Sequence, residues 1–235
     1  MRIERELSRG MGILAAAVVM SFALLAPPVA IAEKQELAEE THDGLTLVPD
    51  RKVAAAYIDS AADFSAYNKV MILDCHVAFK KNWQRDHKRA GSNISVSSSD
   101  MEKIKTEVAV MFREIFAEEL SGEGGYEIVD TAGDDVLLVR PAIIDLDITA
   151  PDTMSAGRSR TYTTSSGAAT LFIELYDSTT GDVLARAADR KAAERMGGHV
   201  SYTNRVTNQA DARRMMRGWA KLLRERLDEF HGKQG

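Results

Sequence analysis

Cysteine is nearly absent from this sequence: Cys75 is the only one in 235 residues. A single thiol cannot form an intrachain disulfide. Cys75 adjoins the apolar run 70–73, and no pattern around it is typical of a thiol with a lowered pKa. We therefore predict a buried and unreactive side chain.

The sequence also lacks recognisable catalytic and cofactor motifs. Its five histidines show none of the short spacings of a zinc site, and no serine lies in a Gly-x-Ser-x-Gly turn. The glycine-rich stretch 122–125 follows a predicted helix, whereas a phosphate-binding loop follows a strand. We predict no cofactor, no metal and no catalytic residues.

A strongly basic composition is missing as well, since the formal net charge is −5. A mildly acidic surface disfavours broad electrostatic attraction to nucleic acid or to anionic lipid. Nucleic acid is therefore not an expected partner.

The first 32 residues have the layout of a secretory signal peptide. Arg2, Arg5 and Arg9 precede the apolar run 11–26, and the stretch 30–32 offers small residues for cleavage after Ala32. The alternative is an uncleaved anchor, but the apolar run is shorter than the roughly 20 residues of a spanning helix. We expect a periplasmic or secreted protein. Because no cysteine lies at the cleavage point, a lipid anchor is not expected, and the exported protein should be soluble without stable membrane insertion.

The remaining chain divides by composition into three parts. Residues 33–53 are acidic and polar, so we predict a flexible tether whose Leu45, Leu47 and Val48 dock weakly on the domain. Residues 54–231 are predicted to form a single domain, followed by a short tail over 232–235.

Short runs of β-branched and aromatic residues predict about five strands. They cover 69–77, 126–129, 136–148, 168–176 and 183–188. Gly181 lies late in the connection between the last two, which is typical of a hairpin. Alternation places one set of residues on the same face of the third strand: Leu138, Ala142, Ile144, Leu146 and Ile148. Pro141 marks that strand as an edge or bulge.

Two long helices are predicted from apolar residues at helical spacing. The first begins at a capping box, Ser99 with Glu102, and ends before Gly122. The second begins near Asn208. We expect an α+β two-layer sandwich: a mixed sheet built from a βαβ unit and an antiparallel meander, with both helices on one face.

The sequence resembles domain-of-unknown-function family 3313 from about residue 54 to 227. The resemblance is carried by stretches 62–70, 77–83, 140–146, 150–160 and 177–186. These relatives are small exported bacterial proteins, often described as lipoproteins. The resemblance implies an envelope location and a domain identity, but no chemistry. The missing lipidation cysteine departs from many relatives.

Clustered carboxylates are one candidate site. Asp145 and Asp147 share a strand face, and Glu174 on the neighbouring strand could approach them to bind a cation or share a proton. An exposed polar sheet face explains these residues equally well.

Two cationic loops are the other candidates, as a surface for a partner. One contains Arg158, Arg160 and Tyr162, and the other contains Lys80, Lys81 and Trp83 in a long connection without predicted structure. Arginine, tyrosine and tryptophan often anchor interfaces. In the alternative interpretation the loops are solvated and Trp83 packs underneath. We therefore expect a non-enzymatic module that binds an envelope protein or polymer; the alternatives are a hydrolase of an envelope polymer and a binder of a small molecule or cation.

Overall fold

The computed structural model describes residues 37–89, 96–148, 161–163, 165–194, 201–203 and 205–232. Side chains are described over 37–86, 96–148, 167–192 and 209–232. In chain order the strands are β1 (Thr46–Leu47), β2 (Ala55–Ile58), β3 (Lys69–Ile72), β4 (His76–Phe79), β5 (Glu127–Ile128), β6 (Val136–Ile148), β7 (Thr161–Thr163), β8 (Ser165–Asp177), β9 (Val183–Glu194) and β10 (Ser201–Thr203). The helices are α1 (Trp83–Arg89), α2 (Ser98–Leu120) and α3 (Arg205–Phe230).

Eight of these strands form a mixed sheet in the order β1-β2-β9-β8-β6-β3-β5, with β4 also paired to β6. β3 runs parallel to β5 and β6, while β6, β8, β9 and β2 pair antiparallel. The predicted mixed α+β sheet is confirmed, and the predicted count of about five strands is too low. Two of the additional strands, β1 and β2, are too short to carry a period, and the predicted strand 69–77 is divided into β3 and β4.

The division between β3 and β4 lies opposite Pro141. β3 pairs with β6 as far as Val139, and β4 resumes the pairing at Ala142. Proline has no backbone donor for a ladder hydrogen bond. Pro141 therefore lies in an interior strand and not at an edge. It faces the gap between β3 and β4, where no hydrogen bond from its backbone is needed.

A bulge in β6 reverses which side chains face the core. Leu137, Val139 and Ile143 are buried, whereas Ile144 is exposed. Beyond Asp145, which has a φ of 51°, the buried residue is Leu146. The prediction that Leu138, Ala142 and Ile144 share one face with Leu146 and Ile148 was wrong, because one extra residue in a strand shifts the alternation, and only Leu146 of the five is buried.

Both long helices cover the same face of the sheet. Phe112 of α2 and Trp219 of α3 share one hydrophobic cluster with Val139 and Leu171 of the sheet. The first helix begins two residues earlier than predicted, since Ser97 is the N-cap and Asp100 completes the capping box. The second also begins earlier, at Arg205.

Two predicted irregular segments contain structure. Over residues 37–53, predicted to be a flexible tether, Leu45 is 2% exposed and β1 pairs with β2. The long connection after β4 contains α1. The predicted turn between β8 and β9 is confirmed, with Gly181 at a φ of 78°.

Candidate functional site

An apolar groove of about 410 Å³ lies between α3, the segment 47–53 and the β2–β9–β8 part of the sheet. Its floor is formed by Ala56, Ile58, Ile173, Leu175, Ala185 and Ala187, and its helical wall by Trp219, Leu222, Leu223 and Leu227. The stacked rings of Phe64 and Phe230, with centroids 4.7 Å apart, also line it. The volume lies within the range of small-molecule sites, about 300–1,000 Å³.

The groove exists because the inward positions of β9 are small. Across the sheet Ile173 lies beside Ala187 and Ala187 beside Ala56, and Leu175, Ala185 and Ile58 form the next row. β8 presents large side chains to the helices, whereas β9 presents methyl groups. The sheet surface below α3 is therefore lower at β9 than at β8.

Asp189 continues the inward row of β9 after Ala185 and Ala187. Its Oδ2 accepts a hydrogen bond of 2.8 Å from Trp219 Nε1, and its Oδ1 accepts one of 3.1 Å from the Ala54 amide. Both oxygens of the carboxylate are thus hydrogen-bonded, and they connect β9 to α3 and to the residue before β2.

Charged side chains surround the solvent side of the groove, here termed the mouth: Arg51, Lys52, Glu225, Arg226 and Glu229. Lys52 Nζ lies 3.1 Å from Glu225 Oε2, and Arg226 pairs with Glu229. Arg226 also donates to the Asp50 carbonyl at 3.5 Å. These contacts connect α3 to the segment before β2.

The predicted carboxylate cluster does not form. Glu174 lies on the sheet face away from the helices, where it accepts from Arg186 Nε at 2.9 Å and from the Tyr176 hydroxyl at 2.8 Å. Asp147 pairs instead with Lys80 at 3.4 Å. The reason is the register of the two strands: Glu174 pairs with Arg140 and Asp147 pairs with Ala168, six positions further along β8.

Of the predicted loop residues, Trp83 is 3% exposed and its ring centroid lies 4.5 Å from that of Phe79. The alternative interpretation, that Trp83 packs underneath its loop, is the one observed. Lys81 is exposed. Arg158 and Arg160 lie outside the described residues. The backbone of Tyr162 pairs with Tyr202 in the β7–β10 ribbon, and its side chain lies outside the described part.

A second polar cluster ties α3 to the end of α2. Tyr126 donates to Asp228 at 3.0 Å, and Asp228 accepts from Arg224 at 2.7 Å. Arg224 also donates to the carbonyls of Glu119, Leu120 and Glu123. Burial, followed by the bond to Asp228, raises the pKa of the Tyr126 hydroxyl. The arrangement satisfies carbonyls that a helix end leaves without intrahelical partners.

A family model described as "Protein of unknown function (DUF3313)" matches residues 33–223. The chain belongs to this family. The comparison with curated proteins finds no match.

Three solved structures share a distant likeness with this DUF3313 protein. A PelC dodecamer from Paraburkholderia phytofirmans has 10% identity and a TM-score of 0.35, covering 71% of this chain and 96% of that one. A PDZ domain protein from Parabacteroides distasonis has 12% identity and a TM-score of 0.36, covering 74% and 34%. A DUF4136 family protein from Bacteroides thetaiotaomicron has 9% identity and a TM-score of 0.31, covering 76% and 97%. At such low scores the likeness supports no inference about ligand or partner.

Reactive and metal-binding groups are sparse in the described part of the DUF3313 chain. Burial raises the pKa of the Cys75 thiol to about 12. Over the described ranges, no group of three or more metal-ligating side chains comes together. Likewise, none of the helices that the structure describes is long and apolar enough to cross a membrane.

The sequence reasoning missed the apolar groove. One signal was present: alanines at alternate positions of β9 (Ala185, Ala187) follow a strand with larger alternate residues, Ile173 and Leu175. That contrast indicates a step in a sheet surface. The contrast does not indicate whether side chains of a helix occupy the space above the alanines, because that depends on how α3 packs on the sheet.

Proposed function

We propose that this protein is an exported, non-enzymatic binding module of the bacterial cell envelope, and that the apolar groove holds its ligand. The observation that carries the proposal is the contrast in polarity between the walls of the groove and its mouth. Aliphatic and aromatic side chains line the interior, while at the mouth Lys52 pairs with Glu225 and Arg226 with Glu229.

The energetics favour an apolar ligand. Each methylene group removed from water contributes about 0.8 kcal/mol. The groove is already formed between regular elements, so binding requires little ordering of the protein. Asp189 and Trp219 satisfy one another inside the groove, and a ligand therefore need not supply a partner for either.

The proposed location rests on the leader and on family membership. Arg2, Arg5, Arg9 and the apolar run 11–26 are typical of an exported precursor. Intact-mass measurement on protein recovered from the periplasmic fraction should show a chain that begins at Glu33. A full-length chain recovered only from the cytoplasm would contradict the proposed export.

Binding is tested with N-phenyl-1-naphthylamine, a neutral apolar dye that fluoresces when removed from water. The wild-type protein should bind it saturably. Ala187→Leu, which fills the floor, should weaken binding at least about tenfold, as the loss of one well-packed contact surface predicts. Ala192→Leu is the matched control, because Ala192 lies on the same strand outside the groove lining and is exposed.

Thermal unfolding establishes that each variant is folded. Should Ala187→Leu fail to fold, Ala56→Val tests the same floor from the adjacent strand. Absence of saturable dye binding by wild type, or equal binding by the floor variants and wild type, would refute the proposal.

A further inference from the structure

We infer that the groove's ligand is a long-chain fatty acid, with its chain between α3 and β9 and its carboxylate at the mouth. This inference rests on the proposed function, because it specifies the ligand of the same groove. Two observations carry it: the size of the apolar space and the charge balance of its mouth.

The space suits a single acyl chain. Its volume of about 410 Å³ lies at the lower end of the range for small-molecule sites, which suits one chain better than a lipid with two. The row of Ala185 and Ala187 gives the floor a narrow strip of small side chains below Leu223, a shape that fits an unbranched chain.

The mouth carries one positive charge in excess. It contains three cations (Arg51, Lys52 and Arg226) and two carboxylates (Glu225 and Glu229). The other ionised residues of the lining, Arg186 and Asp189, have partners of their own: Arg186 pairs with Asp43 and Glu174, and Asp189 accepts from Trp219.

Arg51 is the cation left for a ligand. Lys52 and Arg226 pair with Glu225 and Glu229, whereas Arg51 makes no ion pair with any residue the structure describes. Its Nε donates to the Ala54 carbonyl at 3.1 Å and its Nη1 to the Val48 carbonyl at 3.2 Å. A guanidinium has five N–H donors, so others are available to a carboxylate.

These contacts also fix the guanidinium in place before any ligand arrives. Both acceptors belong to the segment that borders the groove, so Arg51 is held beside the apolar lining. One held guanidinium matches a single carboxylate better than a dianionic phosphate monoester. Charge-assisted bonds of this kind are stronger than neutral ones.

The test is displacement of N-phenyl-1-naphthylamine by three ligands of one chain length: tetradecanoic acid, tetradecan-1-ol and tetradecyl phosphate. Below their aggregation concentrations, the acid should displace the dye about tenfold more tightly than the alcohol, since it adds a charge-assisted bond. Octanoic acid should compete far less well, because six fewer methylene groups are buried.

Two variants examine the head group. Arg51→Met should weaken the acid about tenfold and leave the alcohol unchanged. Glu225→Gln should strengthen the acid and leave the alcohol unchanged, because it adds one net positive charge at the mouth without altering Arg51. Lys103→Met, on the exposed side of α2, is the control for a general loss of positive charge.

The outcomes separate this inference from the proposed function. If the dye binds and Ala187→Leu abolishes its binding, but acid and alcohol compete equally, the carboxylate assignment is wrong and the apolar site stands. Tighter competition by the phosphate than by the acid would assign a phosphate head group and overturn the fatty acid. If the dye fails to bind, both the proposed binding function of the groove and the fatty-acid assignment are refuted.

Discussion

Trp219 Nε1 donates a hydrogen bond of 2.8 Å to Asp189 Oδ2 across the space between α3 and β9. Trp219 is 3% exposed, so this bond satisfies an indole donor that water does not reach. The other carboxylate oxygen accepts from the Ala54 amide, just before β2. One acidic side chain therefore connects three of the elements that border the apolar groove.

Removal of this carboxylate should destabilise the domain. Asp189→Ala leaves the buried indole N–H without its acceptor, and we expect a loss of about 1–3 kcal/mol in the free energy of unfolding. Asp189→Asn retains one acceptor oxygen and should lose less. Urea unfolding followed by tryptophan fluorescence measures both. Asp134→Ala is the control, since Asp134 is exposed and forms no ion pair within the described ranges; equal stability of Asp189→Ala and wild type would contradict the assigned role.

Arg224 should contribute to stability by closing the C-terminus of α2. Its guanidinium donates to the carbonyls of Glu119 and Leu120, each at 3.1 Å, and to Asp228. Arg224→Met should lower the free energy of unfolding by about 1.5–3 kcal/mol, because the charge-assisted hydrogen bonds to Asp228 and to the carbonyls are lost. Arg224→Lys should recover only part, since an ammonium lacks the planar fork.

The control for Arg224 lies on the same helix. Arg217 is exposed, and Arg217→Met removes an equal charge without touching α2. The two variants should differ clearly in their urea midpoints. If both shift the midpoint by the same small amount, Arg224 acts only as a surface charge.

The regular elements were predictable because their patterns are long. The stripe from Ile104 to Leu120 on α2 repeats over several turns, and β6 and β8 are runs of thirteen residues each. β1 and β2 have only two and four residues, too few to show a period. β1 pairs only with β2, and β2 pairs with β9 at long range in the sequence. Composition alone favoured a tether for the segment that contains β1.

The errors in detail came from local backbone geometry. Ser97 and Ser99 are equally suitable caps by residue type, and in the structure it is Ser97 that forms the capping box, with Asp100. The positive φ of Asp145 shifts the alternation of β6, although aspartate is not specific to bulges. The groove was harder still to predict, because its existence depends on which part of the sheet α3 leaves uncovered. A sequence pattern describes the side chains that are present, and a cavity arises from their arrangement.

Cys75 should be protected from alkylation in the folded protein. Burial raises the pKa of its thiol to about 12, so almost no thiolate is present at neutral pH. Native protein treated with a maleimide at mildly alkaline pH should gain no mass, and the same protein in denaturant should gain one label. Lys103→Cys places a thiol on the exposed side of α2 and should label rapidly without denaturant. Rapid labelling of native wild type would show that Cys75 is accessible.

Asp43 should make the stability of the domain sensitive to acid. Hydrogen bonds from Thr41 and then Arg186 lower the pKa of the Asp43 carboxyl to about 2. The unfolded chain has a value of about 3.9, so the folded state favours the ionised form. The stabilising contribution is therefore complete above about pH 5 and is lost as the pH falls toward 2.

Asp43→Asn separates this contribution from the other carboxylates. The urea midpoints of wild type and variant should differ most near neutral pH, where Asp43 is paired with Arg186 at 2.9 Å, and should converge near about pH 2. Asp134→Asn should show no such convergence, because Asp134 forms no ion pair in the described part of the chain. The experiment also tests whether the segment before β1 belongs to the folded unit: a flexible tether would give the same midpoints for wild type and Asp43→Asn at every pH.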